Sequence, residues 1–190
     1  MQQPNLIPDY SFLERAEAAG PFNAAQCFQC RKCTNGCPAS FAMDLYPDQV
    51  IRLAVLGRKE EVLQCRTIWI CASCETCTTR CPNEVRIAEL MDYFKEFAIR
   101  AGVVPAQPQV SSFHQSFLEN VRATGGRVHE ASLLPAYWLK AGQVRSKLKT
   151  GELRNEIKQG LKLLRKGRLS TAPTLIRGKA EVKAIFRSSK

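Results

Sequence analysis

A chain of 190 residues with 45% hydrophobic and 24% charged residues has the make-up of an ordinary globular protein, at a length that suits one domain with an extension or two small ones. It has no run approaching about 18 apolar residues, so no membrane span is expected, and its opening MQQPNLIPDY lacks the basic and apolar regions of a signal peptide. The formal net charge of +11 is lopsided: residues 1–100 hold 11 Lys/Arg against 12 Asp/Glu, and residues 101–190 hold 17 against 5. Nine cysteines in an odd count, tightly clustered and without an export signal, argue against a disulfide framework and for metal binding in a reducing compartment, the cytoplasm.

In chain order, residues 1–25 read as Pro-containing coil followed by a short helix, SFLERAEAA, with Ser11 as N-cap and Gly20 as stop. Residues 26–102 form the cysteine module. Its first quartet is CFQCRKCTNGCP, 27–38. Pro47 then opens a helix carrying Val50, Leu53 and Ala54, which Gly57 ends. RKEEVLQC reads as a second short helix and RTIWI as a helical turn. The second quartet, CASCETCTTRCP, 71–82, precedes the strongest helical pattern of the chain. There Ile87, Leu90, Met91, Phe94, Phe97, Ala98 and Ala101 share one face and pack as core, between Asn83 as N-cap and Gly102 as C-cap. Glu96 and Arg100 pair on the opposite face.

Residues 103–190 are a basic helical extension, entered through the Pro-rich joint VVPAQPQ. Val110, Phe113, Phe117, Leu118 and Val121 repeat the apolar spacing up to Gly125-Gly126. Glycines at 142, 151, 160 and 167 favour short helices over one rod. No strand pair and no Gly-rich nucleotide loop is evident, so the fold class is mainly α.

Each quartet is C-x2-C-x2-C-x3-C-P. Three cysteines within seven residues can give one thiolate to each of three irons of a cubane cluster, while the proline turns the chain out of the loop. Structural zinc usually draws two C-x2-C pairs from separate knuckles, so the duplicated triplets favour iron–sulfur over zinc. Backbone N–H groups of the loops, with Arg31, Lys32 and Arg80, can stabilise a reduced cluster, although simple solvation explains these three cations equally well. Cys65 stands outside both quartets and reads as a small buried hydrophobe. His114 and His129 read as packed or surface residues rather than ligands.

The quartets resemble those of two-cluster ferredoxins, in which the fourth cysteine of each motif serves the other cluster. Carried over, the resemblance implies that Cys27, Cys30, Cys33 and Cys81 hold one [4Fe–4S] cluster and that Cys71, Cys74, Cys77 and Cys37 hold a second. With a spacing of 44 residues and the intervening DLYPDQVIRLAVLGRKEEVL, the chain resembles the α-helical ferredoxin module. More narrowly, it is similar to the family of heterodisulfide reductase C subunits, which its tail segments GGRVHEASLL, LLRKGRLSTAP and GKAEVKAIF also resemble. The chain has no Cys-Cys-Gly sequence, the mark of the catalytic module that a different subunit of that enzyme carries.

The resemblance implies an electron-transfer subunit, itself without catalytic residues. It would relay single electrons between a flavin-containing heterodisulfide reductase subunit and a Cys-Cys-Gly-type subunit that reduces or forms a disulfide. A hydrogenase or formate dehydrogenase module could serve indirectly as donor. Opposite ends of 26–102 would then face different partners. Another helical-ferredoxin oxidoreductase is the alternative.

Ten basic residues between 140 and 168 are opposed only by Glu152 and Glu156, and Leu153, Ile157, Leu161 and Leu164 make an apolar stripe among them. This segment reads as a docking element. A redox-sensing nucleic-acid binder and a membrane-surface helix are the rival readings. No helix-turn-helix or aromatic platform supports the former, and no nucleic-acid partner is expected.

Overall fold

The computed structural model describes residues 7–170, 172 and 176–188. Residues 1–6 of the expected N-terminal coil, and Thr171 and Pro173 of the tail, lie outside them. Every regular element among the described residues is a helix, and the chain divides into two units, Met1–Gln107 and Pro108–Lys190.

The first unit holds the apolar core. Helix α1 (Ser11–Ala19) buries Phe12 and Ala16, and a 3-10 turn (Ala24–Gln26) leads into the first cysteine loop. Ser11 is not the N-cap. That position falls to Tyr10, and Ser11 Oγ donates instead to Asp9 Oδ1 at 2.5 Å. Short helix α2 (Lys32–Gly36) closes the first loop. Helix α3 (Pro47–Val55) begins at Pro47, as the missing N–H of proline favours, and Gln49 Oε1 accepts from Tyr46 N–H at 2.8 Å.

Gly57 ends this helix at φ +69, where a Cβ would strike the Asp9 backbone at 2.8 Å. Asp9 N–H donates to Gly57 O at the same distance, tying the N-terminal segment to the module. Helices α4 (Lys59–Gln64) and α5 (Thr67–Ile70) follow as expected, and α6 (Thr76–Thr79) closes the second loop.

Helix α7 (Ile87–Arg100) is the spine of the unit. Ile87, Leu90, Met91, Phe94 and Ala98 are buried, whereas Ala101 is exposed and lies past the helix end. Phe94 stacks on Phe12 at 5.2 Å, and Phe97 meets the Phe12 ring edge-on at 5.5 Å. Asn83 does not cap α7, because the chain needs three more residues to turn out of the second loop. Arg86 takes the cap position and its N–H donates to Phe22 O at 3.0 Å. Glu96 and Arg100 pair at 2.6 Å as the spacing predicts.

In the second unit, α8 (Pro108–Thr124) packs against α9 (Glu130–Lys140). The face that α8 buries is polar: Ser111, Ser116 and Asn120. Asn120 Oδ1 accepts from His129 N–H at 2.8 Å and its Nδ2 donates to Ser132 Oγ at 2.8 Å, which sets the turn between the helices. Phe113, Phe117 and Leu118 of the expected apolar stripe are exposed. Helices α10 (Val144–Thr150) and α11 (Glu152–Arg165) meet at Gly151, and α12 (Lys179–Ser188) packs on α8. Gly160 does not break α11 but lies within it. Leu133 is the sole buried hydrophobic residue described in this unit. No described helix is long and apolar enough to cross a membrane.

The two units therefore respond differently to loss of an aromatic ring. Phe94→Ala should destabilise the protein by about 3–5 kcal/mol through the transfer and cavity terms. Phe113→Ala should cost less, about 1–2 kcal/mol, since Phe113 keeps 38% of its surface in water. Urea unfolding followed by helical circular dichroism measures both, and equal losses would contradict a core confined to the first unit.

Candidate metal centre

The two cysteine loops have the same backbone. Gln29 and Ser73 take φ +57 and +50, and Arg31 and Glu75 take φ +62 and +59. These pairs fall at equivalent places in the repeat. None is glycine, so each left-handed residue carries strain on the order of 1 kcal/mol. Left-handed residues within short loops are a feature of backbone concavities that suit anions and iron–sulfur cores. Arg31 and Glu75 then stand at the N-cap positions of α2 and α6.

Helices α2 and α6 pack on one another. Each ends one or two residues before the last cysteine of its quartet, and this contact brings that cysteine to the other loop. One cavity is lined by Cys27, Cys30, Cys33 and Cys81, with Asp48, Asn83 and Ile87. The other is lined by Cys37, Cys71, Cys74 and Cys77, with Met43, Ile87 and Met91. Ile87, the first residue of α7, stands in both walls. Asn83 Nδ2 donates to Gln26 O, fastening the exit of the second loop to the entry of the first.

The donor set fits iron–sulfur clusters. Eight thiols ring two cavities, four to each, and a cubane takes one thiolate per iron. Among the described residues no three His, Cys, Asp or Glu side chains are grouped as ligands of a single ion. Neither histidine lines either cavity. His129 Nδ1 lies 2.9 Å from Ser132 Oγ and Nε2 3.1 Å from Ser170 O, and the exposed His114 ring lies 6.5 Å from that of Phe113. Cys65 is buried in the core, 5% exposed. Its Sγ donates to Val62 O at 3.1 Å, and burial pushes its thiol up to about 11.

The thiols of the two sites differ. Burial raises Cys33 and Cys71, and pushes Cys77 up to about 11. Cys74 is exposed, shares a hydrogen bond with Thr76 Oγ1 at 3.5 Å, and is lowered by that hydroxyl and by the Thr76 N–H. The sulfurs also accept hydrogen bonds: Gln29 Nε2 donates to Cys27 at 3.2 Å and Val85 N–H to Cys81 at 3.4 Å.

Several supporting residues were not singled out by sequence pattern. Asp48, in the first turn of α3, is 4% exposed and lines the first cavity. Thr34 Oγ1 donates to it, and Arg31 approaches at 3.6 Å. Lys95 is 8% exposed on α7, and its Nζ donates to Cys71 O at 3.0 Å and to Asp92 at 2.8 Å. Asp44 accepts from Arg66 N–H at 2.8 Å and Thr67 N–H at 3.0 Å, fixing the start of α5 and so the approach to Cys71. Burial works to raise the Asp44 carboxyl, but these bonds outweigh it and hold the group below its usual range. Two sequence signals existed. Asp48 follows a helix-opening proline, and Lys95 lies one turn from Met91 on the flank of the buried face. Arg80 is exposed and lies over Gly36, so the α2–α6 contact occupies it.

Residues 23–85 match the 4Fe-4S dicluster domain family. The C subunit of the H(2):CoB-CoM heterodisulfide,ferredoxin reductase of Methanothermobacter marburgensis is 37% identical over 106 residues, 55% of this chain and 57% of that protein. The chain is a relative of the heterodisulfide reductase C subunits. The C2 subunit of the Methanococcus maripaludis H(2)/formate:CoB-CoM heterodisulfide,ferredoxin reductase is 37% identical over 76 residues, 40% of this chain and 41% of that protein. The C subunit of the Methanosarcina acetivorans Ferredoxin:CoB-CoM heterodisulfide reductase is 33% identical over 78 residues, 41% of this chain and 31% of that protein. The match thus spans 57% of the length of the first of these relatives. This relative of the heterodisulfide reductase C subunits is an iron–sulfur protein, and two [4Fe–4S] clusters are its cofactors.

Thiolates, not thiols, bind iron, so cluster assembly must release the protons that burial holds on Cys33, Cys71 and Cys77. In cluster-free protein at pH 8, iodoacetamide should therefore label Cys74 ahead of Cys77 and Cys65, which react only as the pH climbs toward 11. Peptide mass mapping reads the order. In cluster-loaded protein Cys74 should be protected and Cys65 unchanged.

Proposed function

We propose that this chain is an electron-transfer subunit that relays single electrons through two [4Fe–4S] clusters. Cys27, Cys30, Cys33 and Cys81 hold one cluster, and Cys71, Cys74, Cys77 and Cys37 hold the other. The observation that carries the reading is the sorting of the eight thiols into two cavities, each completed by the last cysteine of the opposite quartet.

The clusters supply one-electron redox chemistry, over a range of potentials that spans roughly −700 to +450 mV between proteins. The residues of the chain hold, orient and tune. The strained loops carry the ligands, and helices α3 and α7 pack against α2 and α6 beside them. Rigid ligands keep rearrangement small when the charge changes, which keeps transfer fast.

The chain serves a heterodisulfide reductase-type complex. On one side stands a partner that contains flavin and further iron–sulfur clusters, and on the other a Cys-Cys-Gly-type partner that reduces or forms a disulfide. The names of the relatives support this setting. The second unit supports a docking role, since it buries little apolar surface of its own while Ile157, Leu161 and Leu164 of α11 stay exposed among cations.

Anaerobically prepared wild-type protein should contain about eight irons and eight acid-labile sulfides, as two cubanes require. Cys81→Ser should lower the iron toward about four, and Cys27→Ser/Cys81→Ser should lose little more, because both thiols serve one cluster. Cys71→Ser/Cys81→Ser should lose nearly all the iron. The reverse order, with Cys27→Ser/Cys81→Ser losing nearly all the iron and Cys71→Ser/Cys81→Ser about half, would overturn the crossed assignment. Native pull-down with a tagged chain should bring down flavoprotein and Cys-Cys-Gly partners, and an isolated monomer would overturn the role within a complex.

A further inference from the structure

The two sites share a backbone but bury opposite charges. Beside the cavity of Cys27, Cys30, Cys33 and Cys81 the buried ionic group is Asp48, whose side chain is 5% exposed. Its cation Arg31, 3.6 Å away, is 71% exposed. Beside the cavity of Cys37, Cys71, Cys74 and Cys77 the buried group is Lys95, whose side chain is 10% exposed. Its anion Asp92, 2.8 Å away, is 52% exposed. In each pair water screens the outer member and protein surrounds the inner one. Arg31 and Lys32 also line the first cavity, but both are exposed and water screens them, so the unscreened field at each cavity takes the sign of the buried group: negative at the first, positive at the second.

We propose that Asp48 and Lys95 split the potentials of the two clusters, so that the Cys71 side is the easier to reduce and the Cys27 side the harder. The proposal rests on the ligand assignment given under Proposed function. An electron from a one-electron donor of the flavin or iron–sulfur class then settles on the Lys95 side. It stays there until an oxidised centre of the same class on a partner takes it. No bond is made or broken and no proton moves.

Neutral hydrogen bonds act too. Gln29 and Val85 donate to sulfurs on the first side, and Thr76 meets one on the second. The two bonds on the first side oppose the split. A neutral donor offers a sulfur only a partial charge, whereas Asp48 and Lys95 each carry a full one within a low-dielectric wall, so the buried charges set the sign. Lys95 also has a mechanical part. It holds the Cys71 carbonyl, while Asp92 accepts from Ser73 Oγ at 2.8 and 2.9 Å and steadies that left-handed residue. A test must separate tuning from bracing.

The test is a potentiometric titration of the full chain, followed by low-temperature paramagnetic resonance after iron and sulfide analysis. Wild type should show two one-electron steps. Lys95→Met should lower the upper step by about 59 mV, a tenfold shift in a one-electron equilibrium, and leave the lower step in place. Asp48→Asn should raise the lower step by a similar amount and leave the upper one. Lys95→Arg, which keeps the charge, should keep both steps.

The proposal is overturned if both variants retain their iron and neither narrows the gap, or if Lys95→Met moves the lower step instead. If Lys95→Met sheds iron, Asp48→Asn decides alone, and an unmoved lower step overturns the proposal. Wild-type protein without acid-labile sulfide would defeat the cluster reading first, an outcome the iron and sulfide analysis tells apart.

Discussion

The contact between α2 and α6 is the constraint on which the first unit depends. Each is a turn or so of helix, too short to persist alone. Each is held in place by the other and by the loop that precedes it. Because both carry their quartet's last cysteine at the exit, one contact delivers two thiols, each to the opposite cavity. A shift of either helix would unpick both sites together. The remainder of the unit serves to hold that contact still: α3 supplies Asp48 beneath one loop, α7 supplies Lys95 beneath the other, and Ile87 stands between.

The loops are tense by construction. Four non-glycine residues hold left-handed backbone in two short stretches, a conformation that persists only where the surroundings over-determine it. Those surroundings are visible in the bonds from Asp44 to α5, from Asp92 to Ser73, and from Asn83 to the first loop. Strain and burial act differently here. Left-handed backbone raises the energy of the folded chain, whereas burial leaves the neutral thiols at ease and raises the energy of the thiolates that iron needs. Folding of this unit and cluster binding are thereby coupled.

The second unit is organised on different terms. Its central helix buries serines and an asparagine and turns its phenylalanines outward, and the bonds of Asn120 carry much of its internal order. With so little apolar surface removed from water it gains little hydrophobic stabilisation of its own. Its exposed apolar side chains beside a strong positive charge support the docking role proposed for it.

The chemistry of this protein was legible in the residues themselves. Two quartets with a trailing proline point to thiolate ligation of cubane clusters, because close spacing lets three thiols of one loop reach a single core. The long apolar stripe of α7, the Pro47 start and the Gly57 stop were equally plain, since local periodicity and backbone freedom set them. The caps were not. Ser11 and Asn83 are good capping residues, but the side chain of each was claimed by another partner, a competition that only packing settles. The apolar stripe of α8 was read correctly as a pattern, yet which face is buried depends on the neighbour that arrives. Asp48 and Lys95 could not be placed from sequence, because burial of a charge is decided by elements distant along the chain. Local spacing thus determined what the chain binds, while the long-range meeting of α2 with α6, and of α3 and α7 with the loops, decided how the eight thiols are shared and which charge each site feels.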